Sequence, residues 1–483
     1  MIKKKEPIRL LKSQKLKMFG EWRETLPGLN REFRREIGRS RKGTHSLHTD
    51  RQVDRWIAAR LAAPALKVRT RSLLGMKGWQ VDEVTGNIRH ESGRFFSLTG
   101  AYVRHRTPNG ELEWDQPVID QAEVGILGVL AKKIGGVMHF CLQAKEEPGN
   151  INSVQLSPTV QATFSNYTRV HGGSSPPFLE YFLGTARGRV VYAKLQTEDG
   201  GRFLFKSNRN MVVQVDDHDL PELPDGFIWL TARQIARLLL RDNLIHACTR
   251  SILAALVVGE EADFSTGTTG RGGIGGSIGE TVQWLDNQKA ANHILVIRRP
   301  LNGLKEWGMD RDGTFSQDEG RFFRVIGLEV ESGEREVTSW EQPILDNPGT
   351  GIIGMLTRMQ KGERYFLMQA KAEPGNRSIV QMGPTVQFTP GNYIGNTRLP
   401  KPFLFEEFYQ NRSFPHLSES MQSEEGARFY REAHLHRILS LPEGVELELP
   451  PDFRWVSQSD LHLFVHMGEM VNSCARSVLA LLL

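Results

Sequence analysis

The sequence predicts an α+β protein assembled twice over within one chain. Three observations carry this. A 25-residue segment recurs at a fixed spacing, period-two strand patterns fill the middle of each copy, and helical stretches open and close each copy. Residues 143–167 read QAKEEPGNINSVQLSPTVQATFSNY and residues 369–393 read QAKAEPGNRSIVQMGPTVQFTPGNY, with 16 of 25 positions identical at an offset of 226. The same offset pairs Trp114, Gln116 and Pro117 with Trp340, Gln342 and Pro343, and Trp229 with Trp455. It also pairs Cys248, Arg250 and Ser251 with Cys474, Arg476 and Ser477. Upstream the offset drifts by one or two, matching Trp79 to Trp307 and Trp56 to Trp284. The repeats therefore run over residues 45–258 and 280–483.

The elements follow in order. Residues 1–44 form a basic tail, with 14 Lys/Arg against 5 Glu over residues 1–43. That tail is expected to be solvated, and it leaves the folded body net acidic. A helix is expected around Trp56 and again around Trp284. From Phe140 to Lys145, apolar and polar residues alternate with the period of a strand. Glu147-Pro148-Gly149-Asn150 has the composition of a turn. Beyond it Thr159, Gln161 and Thr163 share one strand face, as Thr385, Gln387 and Thr389 do in the second copy. A single helix is expected over residues 231–257, capped by Thr231, and another over residues 457–483, capped by Ser457. Between the copies, residues 259–279 are glycine-rich and read as a flexible linker.

Composition narrows the class. A hydrophobic fraction of 39% with 24% charged residues is that of a soluble globular protein. No apolar run is long enough to span a bilayer, and no secretory signal pattern opens the chain. Three cysteines, none in metal-ligand spacing, point to a reducing, cytoplasmic setting.

The polar residues kept in both copies are the candidates for chemistry. In the first they are Gln143, Lys145, Glu147, Asn150, Gln155, Thr159, Gln161, Asn166 and Tyr167. In the second they are Lys371, Glu373, Asn376, Gln381, Thr385, Gln387, Asn392 and Tyr393. Amides and hydroxyls on adjacent strands suit a hydroxyl-rich ligand or the imide edge of a pyrimidine. A structural polar ladder is the alternative. Trp114 and Gln116 belong to the same retained set, and Arg94, Arg169 and the pair Arg202/Arg428 are candidate anion binders. The copies diverge after Asn-Tyr, where the first has His171 and the second has no histidine. Glu123 likewise stands where the second has Gly349. These extra titratable groups favour a catalytic first copy.

The motifs Trp-x-Gln-Pro, Gly-Ile-Leu-Gly, Leu-Gln-Ala-Lys-x-Glu-Pro-Gly-Asn and Gln-Leu-Ser-Pro-Thr-Val-Gln-Ala-Thr resemble the NDP-hexose 2,3-dehydratases, from about residue 50 onward. The resemblance implies two tandem Nudix-like domains and a homodimer. It implies a dTDP-4-keto-6-deoxy-glucose substrate, a 3,4-diketo-2,6-dideoxy product and a downstream 3-ketoreductase to consume it. It implies no redox cofactor and no metal, because elimination followed by tautomerisation moves the oxidation level internally. The glutamate-rich, magnesium-holding helix of Nudix hydrolases is absent from the sequence. The chemistry needs a base, an acid and a donor to the C4 oxygen. His171 or Glu147 would be base or acid, and Tyr167 or Lys145 would donate. The rival readings are a non-catalytic nucleotide-sugar binder, a metal-dependent hydrolase and nucleic-acid binding through the tail. Neither nucleic acid nor a membrane is expected as a partner.

Overall fold

The computed structural model describes residues 28–43, 45–107, 110–121, 123–163, 175–216, 222–257, 274–320, 322–333, 337–395, 399–410 and 413–483. Within them the chain is α+β, with four sheets: two of seven strands, one of six and one of five. Each repeat owns one seven-stranded sheet. The first is centred on Ile126–Ile134 and Val137–Glu146, and the second on Gly351–Gln360 and Glu363–Ala372.

The two smaller sheets are shared. The strand Leu66–Arg71 leaves its own repeat and pairs antiparallel with Arg324–Ser332 of the second, from Leu66↔Ser332 to Arg71↔Gly327. Its counterpart His293–Arg299 pairs with Ser97–Thr107 of the first. The indoles follow the same exchange. Trp79 Nε1 donates to the Glu341 carbonyl at 2.7 Å, and Trp307 Nε1 donates to the Asp115 carbonyl at 2.9 Å. These contacts are reciprocal, as in the isologous interface of a two-fold dimer.

Two apolar clusters also mix the halves. One gathers Leu127, Phe140, Ile353, Phe366 and the inward faces of the closing helices. The other gathers Trp79, Phe96, Phe203, Trp307, Phe323 and Phe429. Two buried arginines stitch this core. Arg250 Nε reaches Ser477 Oγ at 2.7 Å and Nη2 reaches the Ser423 carbonyl at 2.7 Å. Arg476 Nε reaches Ser251 Oγ at 2.9 Å, and its Nη2 meets the Thr197 carbonyl. Burial pulls the Arg250 guanidinium down to about 10.

Three local expectations need correction. The closing helices are each broken in two, into Ala232–Leu239 and Ala247–Leu253 in the first repeat and Gln458–Met467 and Ser473–Leu479 in the second. Asn243 at φ 55° and Gly468 at φ 77° turn the chain, and His246 and Asn472 restart it as new caps. The basic tail is not solvated throughout. Asn30 caps a helix, Arg31–Lys42, that buries Phe33 and Ile37, and Ser40 Oγ donates to the Met138 carbonyl at 2.6 Å. The third concerns the linker, whose last residues are already structured. Ser277 caps the helix Ile278–Ala291, and the linker stretch before residue 274 lies outside the described residues.

Candidate active site

Each Glu-Pro-Gly-Asn turn is pushed into a loop of the opposite repeat. Gly149 N–H donates to the Gly426 carbonyl at 2.7 Å, and Arg431 N–H donates to the Gly149 carbonyl at 2.8 Å. Gly375 makes the mirror contacts with Gly200 and Phe205. A side chain at Gly149 would collide with the Phe429 carbonyl, and one at Gly375 with that of Phe203. This docking brings residues of both halves to each glutamate.

In the first repeat the glutamate is Glu147, buried and fully engaged. Its Oε1 pairs with Lys145 Nζ at 3.0 Å and accepts from Gln161 Nε2 at 3.3 Å. Its Oε2 meets His246 Nε2 at 2.8 Å and accepts from the Ala427 N–H of the second repeat at 3.0 Å. Lys145 Nζ also donates to Gln161 Oε1 at 2.8 Å. His246 Nδ1 accepts from the Cys248 N–H at 3.2 Å as the helix cap, so its Nε2–H is the donor to Glu147. Burial opposes ionisation of Glu147. The Lys145 ammonium and His246 overcome it and hold the carboxyl well below the usual range.

In the second repeat Glu373 is met by amides. Asn376 Nδ2 donates at 2.8 Å, Gln387 Nε2 at 3.3 Å and Asn472 Nδ2 at 3.4 Å. Asn472 is the mate of His246 and performs the same cap, its Oδ1 accepting from the Ala475 N–H at 2.9 Å. No ion pair joins Lys371 to Glu373 among the described residues. Burial and the neighbouring Asp199 raise the Glu373 carboxyl above its usual value, against Lys371.

The remaining retained residues divide by where their polar atoms go. Gln143 is half-buried on the Lys145 strand. Thr159 Oγ1 bridges the Leu130 N–H and the Cys141 carbonyl, and Thr385 bridges Leu356 and Leu367. Gln155 Nε2 reaches Ser423 Oγ of the other repeat at 2.5 Å, and Gln381 Oε1 accepts from Thr197 Oγ1 at 2.9 Å. Asn150 closes its own turn by donating to the Lys145 and Ser153 carbonyls. Trp114 Nε1 donates to Gln116, which donates to the Gly201 carbonyl; Trp340 and Gln342 do the same to Ala427. Arg202 and Arg428 stack across the repeats on Phe323 and Phe96, 4.0 and 4.1 Å from the ring centroids. Arg94 is exposed on a turn. Asn392 ends a short turn, and the half-buried Tyr393 packs on Phe388 and Phe405. Asn166, Tyr167, Arg169 and His171 lie outside the described residues.

Where the halves meet there is a small cavity, partly open to solvent, lined by matched pairs. These include Glu198 with Glu424, Asp199 with Glu425, and Cys248 with Cys474. Burial pushes the Glu198 and Glu424 carboxyls up. Glu425 also reaches the first cluster, where its Oε1 accepts from Gln161 Nε2 at 3.3 Å.

Sequence reasoning missed His246, Glu425 and Ala427. His246 had a signal. It stands two residues before the shared Cys248, where the second copy has Asn472 before Cys474. Glu425 and Ala427 had none in the first repeat, because they arrive from the second.

The model of a family described as NDP-hexose 2,3-dehydratase matches residues 50–256 and again 278–482. A relative from Streptomyces violaceoruber, named dTDP-4-dehydro-6-deoxy-alpha-D-glucopyranose 2,3-dehydratase, is 39% identical over 88% of this chain and 95% of its own length. Relatives of the same name from Saccharopolyspora spinosa and Amycolatopsis orientalis are 37% and 38% identical, covering 88% and 89% of this chain and 89% of each relative. Among the described residues no helix is long and apolar enough to cross a membrane.

Proposed function

Because the chain belongs to the NDP-hexose 2,3-dehydratase family, we propose that it removes water across C2–C3 of dTDP-4-keto-6-deoxy-glucose. The product is dTDP-3,4-diketo-2,6-dideoxy-glucose, an intermediate of deoxysugar biosynthesis. We take the chain as two Nudix-like repeats, 45–258 and 280–483, acting together, and the active species as a homodimer. Light scattering tests the dimer.

The observation that carries the reading is the ammonium of Lys145, fixed by Glu147 and Gln161 at the edge of the first cluster. The C4 ketone of the substrate acidifies the C3 proton. Removing that proton builds negative charge on the C4 oxygen, and a fixed ammonium stabilises it as it forms. Glu147, with both oxygens engaged and buried, anchors Lys145 and His246. Tyr167 is proposed as a second donor to the C4 oxygen, and His171 as the acid that protonates the departing C2 hydroxyl. Gln143, Gln161 and Arg169 are proposed to contact the substrate. Elimination gives an enol that becomes the C3 ketone, so the reaction needs no external oxidant. A 3-ketoreductase would consume the product.

The test is incubation with dTDP-4-keto-6-deoxy-glucose in deuterated buffer without added metal, with a trapping reductase and a no-enzyme control. Mass spectrometry should show loss of water and deuterium uptake at C2, and Lys145→Met should abolish both. Substrate bound but unchanged would favour a non-catalytic binder. Metal-dependent release of sugar phosphate and dTMP would make the protein a hydrolase.

A further inference from the structure

Once Glu147 is set aside as an anchor, the first cluster lacks a base of its own among the described residues. Its two oxygens receive four donors: Lys145, Gln161, His246 and the Ala427 N–H. His246 has both ring nitrogens spent, one on Glu147 and one on the Cys248 N–H, and the residue is fully buried. One other carboxylate touches the cluster, and it comes from the second repeat.

We propose that Glu425 is the base that takes the C3 proton, supplied to the first-repeat site by the second repeat. The proposal rests on the dehydratase reading given above. Glu425 is half-buried and lines the cavity between the halves, and its Oε1 is held by Gln161 Nε2 at 3.3 Å. Its Oε2 has no hydrogen-bond partner among the described residues. The other end of the same amide, Gln161 Oε1, accepts from Lys145 Nζ at 2.8 Å. One side chain therefore fixes both an ammonium and a carboxylate. That is the pairing needed at a carbonyl oxygen and the carbon next to it, where a donor and a base must act together.

The step balances. The C3–H bond breaks and its proton goes to Glu425, while the electron pair moves onto the C4 oxygen beside Lys145. The pair returns to form C2=C3 as the C2–O bond breaks, and the oxygen leaves as water with a proton from the site's acid. The enol then becomes the C3 ketone. The proton on Glu425 exchanges with solvent before C2 takes one from it, and the proton from the C3 hydroxyl restores the acid.

The mate of Glu425 is Asp199, one methylene shorter. Its Oδ1 turns back onto the Gly201 N–H at 2.8 Å and, among the described residues, reaches no glutamine of the second cluster. The two halves thus present different carboxylates to their partners, and among the described residues only the first-repeat site receives one at the end of an ammonium-bound amide.

The experiment compares Glu425→Gln, Glu425→Asp and Asp199→Asn in the full chain, following water loss with the trapping reductase and C3–H washout in deuterated buffer. Glu425→Gln should lower kcat about a thousandfold with KM within about threefold, and should remove the acid limb of the kcat profile. Glu425→Asp should recover part of the rate and restore the acid limb, which a purely structural role would not produce. Asp199→Asn should stay within about tenfold of wild type. A Glu425→Gln enzyme retaining more than a tenth of wild-type kcat overturns the proposal, as does an equal loss in Asp199→Asn. Should Glu425→Gln unfold, Glu425→Asp decides, and wild-type kcat with an unshifted pH profile overturns the assignment. A wild-type protein that loses no water fails the dehydratase reading itself, which separates the two outcomes.

Discussion

In the first repeat Glu147 meets an ammonium, an imidazole and a backbone N–H from the opposite half; in the second, Glu373 meets three amides and faces Asp199. Both glutamates follow Gln-Ala-Lys at the same register, and both are buried. One carboxyl is held well below its usual range and the other is raised. The difference comes from neighbours supplied by other elements: His246 against Asn472 at the helix caps, Ala427 against Gly201 and Glu425 against Asp199 in the opposing loops. A duplicated motif therefore carries its position into both copies, and its charge state is set by what the other copy brings to it.

The sharpest way to break this comparison is to neutralise each glutamate in turn. Glu147→Gln leaves Lys145 and His246 without their carboxylate. It should cost about 3–5 kcal/mol of stability and about a hundredfold in kcat. Glu373→Gln replaces a carboxyl already inclined to be neutral but sets an amide N–H2 against one of its three donors, and should cost less, about 1–3 kcal/mol. Urea midpoints and steady-state rates check both, and equal losses in the two variants would remove the asymmetry. The joint between the halves should behave oppositely. Gly149→Ala and Gly375→Ala each force a Cβ against a carbonyl, and each should cost about 1–3 kcal/mol, by similar amounts.

A pH titration sharpens the same contrast because the two signs differ. For Glu147 the folded pKa is depressed. Its contribution is complete above the unfolded glutamate value of about 4.3 and is lost as pH falls through the folded value. For Glu373 the folded pKa is raised, so its contribution is complete below about 4.3 and is lost as pH rises through the folded value. The melting-temperature gap between wild type and Glu147→Gln should therefore shrink in acid. Glu373→Gln should gain on wild type as pH rises above about 4.3. A small effect is also expected from His246→Asn, which keeps the cap and a donor to Glu147. About 1 kcal/mol or about a fivefold change in kcat would fit, and a larger loss would give the imidazole a role beyond holding Glu147.

Much of this architecture was legible in the sequence. The duplication, the strand Val137–Glu146, the Pro-Gly turn and the caps at Thr231 and Ser457 all follow from spacing and local chemistry. The strand exchange was not, because periodicity marks a strand without naming its partner. For the same reason the retained glutamines mislead when read one repeat at a time. Gln155 and Gln381 reach across to Ser423 and Thr197, so identity between copies also records that each must dock on the other. The breaks in the closing helices escaped notice because apolar periodicity runs through Asn243 and Gly468 despite their left-handed backbone.

The exchanged strands also set an order of events during synthesis. Leu66–Arg71 finds its hydrogen-bond partner only when Arg324–Ser332 has been made. At about 5–20 residues per second that delay is on the order of tens of seconds. Until then the nascent first half carries an unpaired edge and an uncovered share of the common core, the features that invite association with other chains. Such long-range pairing also slows refolding of the finished polypeptide. A chaperone that shields the first half until the second emerges should therefore raise the yield of native protein more than it would for two repeats that fold independently.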